Sequence, residues 1–244
     1  MNCASTRTIL LISCLTLLSA ASSAEAAIVL AEFDVTNAIS SSSAPIPLVS
    51  TAPGVTSSPL IPVGVNFDGT STPGLYWDSS WTTSAIPNFL TERLFFNVFA
   101  DSGVTLEFDE LQFHVYSGGS SLMGVELRVF GAGNTTIASP QLISGGFFNS
   151  PSNFATEIIA DVSSLVPLSN GDAYQFSLSF FNRNPASRIG LSGDRSDIGI
   201  LGGNVILTGE SSAVPEPASL SMASLVGLLI VAQFLRRRRA RCGD

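Results

Sequence analysis

Histidine occurs once, at His114 between Phe113 and Val115, so any Ser-His-Asp relay or histidine-held metal in the chain has to use it. No Gly-x-Ser-x-Gly elbow and no second histidine accompanies it, and the pattern reads His114 as a solvent-facing strand residue, with a secreted hydrolase as the alternative. A pair of acids for glycoside hydrolysis needs a separation in space of about 5–9 Å, which sequence spacing does not report, and no pair stands out. Tyr76, Trp77 and Trp81 cluster beside Asp78. Flat rings next to a carboxylate can stack on a pyranose while the polar group takes a hydroxyl, so these three are the candidate glycan contacts, with core packing as the competing use. Asp194 and Asp197 place two hard oxygens on one turn, a fragment of a structural calcium site. Calcium takes about six to eight oxygens, so a plain solvated turn competes with that reading, and no other cofactor is implied.

Charge narrows the partners. Residues 27–213 hold sixteen acidic side chains against five arginines, a net of −11, and the whole chain has no lysine. Such a surface repels phosphate backbones, which argues against nucleic acid. The cysteines Cys3, Cys14 and Cys242 lie near the ends, leaving the middle of the chain with neither a disulfide nor a thiol nucleophile.

The elements that must position these residues read as strands. Val104, Leu106 and Phe108 alternate with polar neighbours, then Leu111, Phe113 and Val115 do so one residue out of phase. A slip of that kind at Glu110 is what a β-bulge needs to keep the apolar set on the core. Period-two patterning also predicts strands over 28–35, 90–98, 123–130, 158–162, 174–180 and 204–208. Turns are expected at Gly118-Gly119, 131–134, Gly145-Gly146, 169–172 and Gly202-Gly203. Residues 38–64, with four consecutive serines and five prolines, read as an extended surface loop, part of it an edge strand. Many short strands with Gly- and Asn-rich turns predict an all-β, antiparallel β-sandwich of jelly-roll type over 27–213.

The ends carry different chemistry. Arg7, an apolar run over 9–18 and the exit Ala24-Glu25-Ala26 form a secretory signal peptide over 1–26, too short in its apolar part for the ~20 residues that span a bilayer. Leu11-Ile12-Ser13-Cys14 offers a lipoprotein box as an alternative. At the other end Val214-Pro215-Glu216-Pro217 precedes an apolar stretch over 218–235, then Arg236, Arg237, Arg238, Arg239 and Arg241. Eighteen residues make a helix of about 27 Å, enough to cross, and the arginines hold its end in the cytoplasm. Two prolines lacking amide donors keep Glu216 in an extended backbone, a form proteases bind.

Those three parts in that order, over 214–241, resemble the PEP-CTERM sorting signal of Gram-negative bacteria. The resemblance implies recognition of Pro215, Glu216 and Pro217 by an exosortase, a membrane protease-transpeptidase, with cutting near them and transfer or release at the surface. It also implies a jelly-roll domain outside and makes this chain a substrate rather than an enzyme. The extension Ala240-Arg241-Cys242-Gly243-Asp244 departs from the usual arginine end. The expectation is an exported, membrane-anchored surface or matrix protein, with extracellular polysaccharide as the alternative partner.

Overall fold

A computed structural model describes residues 27–37, 44–65, 75–78, 81–117, 122–132, 141–149, 155–182, 189–194 and 202–213, with the backbone alone for 75–78, 117, 122, 132 and 141–149. The leader over 1–26, the Pro-Glu-Pro motif, the apolar stretch 218–235, the arginine cluster and Asp197 lie outside these residues. Among the described residues no helix is long and apolar enough to cross a membrane.

The described residues are all-β, as the alternation predicts, and their strands form two antiparallel sheets. The first sheet is organised on β7 (Val104–Ser117), the longest strand. Along one edge of β7 run β14 (Val205–Ala213) and then β13 (Ile189–Ser192); along the other run β11 (Leu168–Ser169) and β10 (Thr156–Asp161). The sheet extends through β14 to β1 (Ile28–Phe33) and β2 (Leu48–Thr51), and through β13 to β5 (Leu75–Asp78). The second sheet centres on β12 (Ala173–Phe181), between β6 (Arg93–Ala100) and β8 (Leu122–Ala132). Beyond β8 lies β9 (Gln141–Asn149), while β3 (Val55–Ser57) and β4 (Ile61–Val63) share the free edge of β6.

Alternation drives one face of each sheet into a common core, because successive strand residues point to opposite faces. In β6 the buried set is Leu94, Phe96, Val98 and Ala100, and in β7 it is Leu106 and Phe108, then Leu111, Phe113 and Val115. Aromatic rings join the sheets. Phe33 of β1 meets Phe96 of β6 at 4.5 Å between centroids, Phe96 stacks on Phe176 of β12 at 5.1 Å, and Phe108 of β7 closes on Phe176 at 5.7 Å. These contacts make a sandwich with one core. Tyr174 pins a corner of it by donating its hydroxyl to the Val166 carbonyl at 2.9 Å, the kind of lock that fixes the turn between sandwich strands.

The phase slip at Glu110 is a bulge. Leu207 of β14 faces Leu111 while Gly209, two residues on, faces Phe108, so β7 spends one residue more than its partner. Glycine is required opposite that bulge, since a Cβ on Gly209 would lie 2.0 Å from the Glu107 carbonyl oxygen. Turn chemistry also follows the pattern: Asn170 and Gly171, both at positive φ, form the Asn-Gly turn that carries the chain from β11 in the first sheet to β12 in the second.

Four expectations need correction. Residues 44–64 of the expected loop hold not one edge strand but three strands, β2, β3 and β4, and bury Ile46, Val55 and Leu60; Pro62 fits because β4 is an edge strand that needs no donor on its free side. Gly145-Gly146 is the middle of β9, paired to Glu126 and Val125, because sheet pairing overrides a local turn preference. The strand predicted from residue 90 begins at Arg93, after a turn in which Thr91 and Glu92 both donate to the Asn88 carbonyl and Leu90 is 83 % exposed. Gly131 still belongs to β8, which ends at Ala132.

Candidate functional site

The outer face of the second sheet gathers the polar and aromatic groups that the sequence reading passed over. β6 sends Leu94, Phe96 and Val98 inward, so its alternate residues Arg93, Phe95, Asn97 and Phe99 face outward and are only partly covered. Register places Phe95, Ser177 and Arg128 in one row across β6, β12 and β8, and Asn97, Gln175 and Phe130 in the next. The Arg93 guanidinium lies over the ring of Phe95 at 5.1 Å and within 6.0 Å of that of Phe130. Rings hold it by their negative faces, a weak but oriented attraction. Its Nε is buried and has no hydrogen-bond partner among the described residues, and neither has the fully buried Ser177 hydroxyl in the next row.

Arg128 is held differently. Its Nε and Nη2 both reach Glu126 Oε1, at 2.8 and 2.7 Å, while its guanidinium covers Phe89 at 4.6 Å. The Gln175 amide donates to Asn97 Oδ1 at 3.2 Å. Arg128 is thus neutralised in place, whereas Arg93 has no carboxylate partner among the described residues. A planar fork of donors between aromatic rings suits a carboxylate or a sugar hydroxyl array. The sequence signal for this face was the second register of β6, where phenylalanines at 95 and 99 occupy what should be a solvent side.

The predicted sites fare unequally. Trp81 is a correction: it is 1 % exposed and packs edge-on to Phe180 at 5.0 Å, so it belongs to the core and offers no surface to a pyranose. Tyr76 and Trp77 lie on β5, opposite Leu191 and Gly190, and only their backbone is described. Asp194 is exposed just beyond β13, its amide donating to the Thr36 hydroxyl at 3.1 Å. Among the described residues no three His, Cys, Asp or Glu side chains gather closely enough to hold a metal ion.

His114 corrects the solvent-facing expectation, being half-buried on β7 with its ring against Gly203, where an added Cβ would meet Cε1 at 3.1 Å. Burial lowers its pKa below the ordinary 6.5, and Glu157, directly opposite on β10, opposes that shift in part. Nδ1 has no hydrogen-bond partner among the described residues, and Glu157 itself accepts from the Gln112 amide. At neutral pH burial thus favours the uncharged imidazole.

Carboxylates collect instead at the β7 bulge. Asp109, Glu110 and Asp161 line a shallow depression with Ala27, Ser163 and Thr208. Ser163 donates to Asp161 from both its hydroxyl (2.6 Å) and its amide (2.9 Å), which lowers the Asp161 pKa.

Fold and surface together define an acidic, two-sheet antiparallel β-protein with one aromatic and guanidinium-bearing face. No protein-family model matches the chain, and no curated protein matches it. Among solved structures, the CBM22-1 and GH10 modules of the Clostridium thermocellum endo-1,4-beta-D-xylanase 10B, complexed with xylohexaose, align at 11 % identity over 75 % of this chain, with a TM-score of 0.29. The chain spans 28 % of that structure's length, and a likeness of this size assigns neither fold nor ligand.

Proposed function

We propose that this is a non-enzymatic protein of the cell surface or extracellular matrix, exported, membrane-anchored and then processed at its C-terminal sorting segment. Residues 1–26 direct export and are removed. Residues 218–235 cross the membrane with Arg236 to Arg239 on the cytoplasmic side. An exosortase-type membrane protease cuts near Pro215-Glu216-Pro217, leaving a jelly-roll-like domain outside.

The observation that carries this reading is where the first strand begins and the last one ends. β1 begins at Ile28, directly after the Ala24-Glu25-Ala26 exit, and β14 ends at Ala213, directly before Val214-Pro215-Glu216-Pro217. The two strands are antiparallel neighbours, Ile28 facing Gly209, so the start of one and the end of the other lie at the same end of the first sheet. Signals removed from both sides would leave every strand of the sandwich intact. Replacing Pro215, Glu216 and Pro217 by alanine tests the idea. The unprocessed form should then accumulate in the membrane fraction, while equal processing of the variant and the parent chain would refute it.

A second reading, extracellular polysaccharide as partner, is favoured by the outer face at Arg93 rather than by the tryptophans. Donors left unused between rings suit acidic sugars, whose carboxylates pair with guanidinium in a fork. Titration with a uronate polysaccharide should show binding that falls about tenfold or more in Arg93→Ala, equivalent to ~1.4 kcal/mol. Binding unchanged by that substitution would remove the reading.

A further inference from the structure

The leader junction and the β7 bulge meet at one place. Ala27, one residue before β1, lines the same depression as Asp109, Glu110 and Asp161. Around it carboxylates oppose each other across strand pairs: Asp161 faces Glu110, and Glu210 faces Glu107. Like charges directly opposite destabilise an antiparallel pair. Among the described residues no arginine lies on any strand of this sheet, Arg93 and Arg128 both belonging to the other. The chain contains no lysine, so an α-amine at Ala27 would be the one ammonium group available to these carboxylates.

We propose that maturation supplies the missing cation: cleavage between Ala26 and Ala27 leaves an α-ammonium that docks among Asp109, Glu110 and Asp161 and fastens β1 to the sheet. This rests on the export reading given above. In the cut, made by a signal-peptidase-class protease, water adds across the Ala26–Ala27 amide. The carboxylate departs with the leader, and the freed amine takes up a proton. Before the cut, the same position is a neutral amide and the carboxylates repel one another without relief. Afterwards, three N–H donors stand beside acceptors that Ser163 already helps to hold ionised through Asp161. Processing and the seating of the first strand thereby become one event, and the precursor is the looser of the two forms.

The absence of lysine makes the test direct, because the α-amine is the one amine in the processed protein. The exported protein is purified from producing cells, its N-terminus is fixed by intact mass, and reductive 13C-methylation gives a single NMR signal to titrate. With Ala27 first, the titration midpoint should lie about one unit above the ordinary α-amino range of ~7.7–8.0. It should fall back in the Glu110→Gln, Asp161→Asn double variant. If that variant does not fold, about 1 M salt should produce the same fall in the parent chain, since screening reaches ~3 Å there. A chain beginning at Ala27 with an ordinary midpoint, insensitive to both the variant and salt, would overturn the docking while leaving export intact. A chain beginning elsewhere would overturn the junction itself and the docking with it.

Discussion

The two sheets share a core but differ in how they treat charge. On the strands of the first, the described charged side chains are carboxylates without any arginine, and like charges face each other at Asp161–Glu110 and Glu210–Glu107. On the second, both described arginines sit on the outer face beside Phe95, Phe130 and Phe89, and one of them is neutralised by Glu126. A protein with a net of −11 over residues 27–213 can thus keep a self-repelling carboxylate side and an aromatic, guanidinium-bearing side on opposite faces. The common core makes that division stable, and variants can attack it jointly or one sheet at a time.

The largest effect should come where the sheets join. Phe176 contacts both Phe96 of its own sheet and Phe108 of the other, so Phe176→Ala should cost about 3–5 kcal/mol in urea unfolding. Trp81→Ala should cost a similar ~3–5 kcal/mol, because the ring is core; a cost under about 0.5 kcal/mol would return Trp81 to the surface. Next in size is the first sheet alone. Gly209→Val forces a side chain against the Glu107 carbonyl and should cost about 1–3 kcal/mol or more while leaving the Arg93 face able to bind. Smaller again is the second sheet's surface. Arg128→Ala leaves the buried Glu126 carboxylate without its ion-pair partner and removes a ring contact, and should cost about 1–2 kcal/mol.

The smallest effect is one of pH. The folded-state pKa of His114 is lowered, so protonation favours the unfolded chain. Its contribution to stability is complete above the unfolded value of about 6.5 and is lost as pH falls through the lower folded value. His114→Gln should therefore flatten the loss of stability on acidifying from neutral pH to below 6. A wild-type slope retained in the variant would assign it to carboxylates.

Much of this architecture was legible in alternation, and the failures have physical causes. The slip at Glu110 was readable because one inserted residue reverses the face of every side chain after it, and the burial of Leu111, Phe113 and Val115 follows that reversal. β9 was not readable, since Gly145-Gly146 signals a turn locally and only pairing with β8 makes it a strand. The prolines hid β2, β3 and β4 for the same reason: a missing donor matters only on the paired side of an edge. Trp81 misled because a ring beside a carboxylate suits a sugar or a core equally, and three-dimensional contact with Phe180 decides. Arg93 was overlooked because its second ring, Phe130, comes from β8, which no local window contains.

The central claim, an exported β-domain trimmed from both sides, is met most directly by the intact mass of the protein recovered from the producing cell. The account predicts a chain that starts at Ala27 and ends near Pro215. A mass corresponding to Met1 through Asp244 in the purified surface or membrane fraction would contradict it.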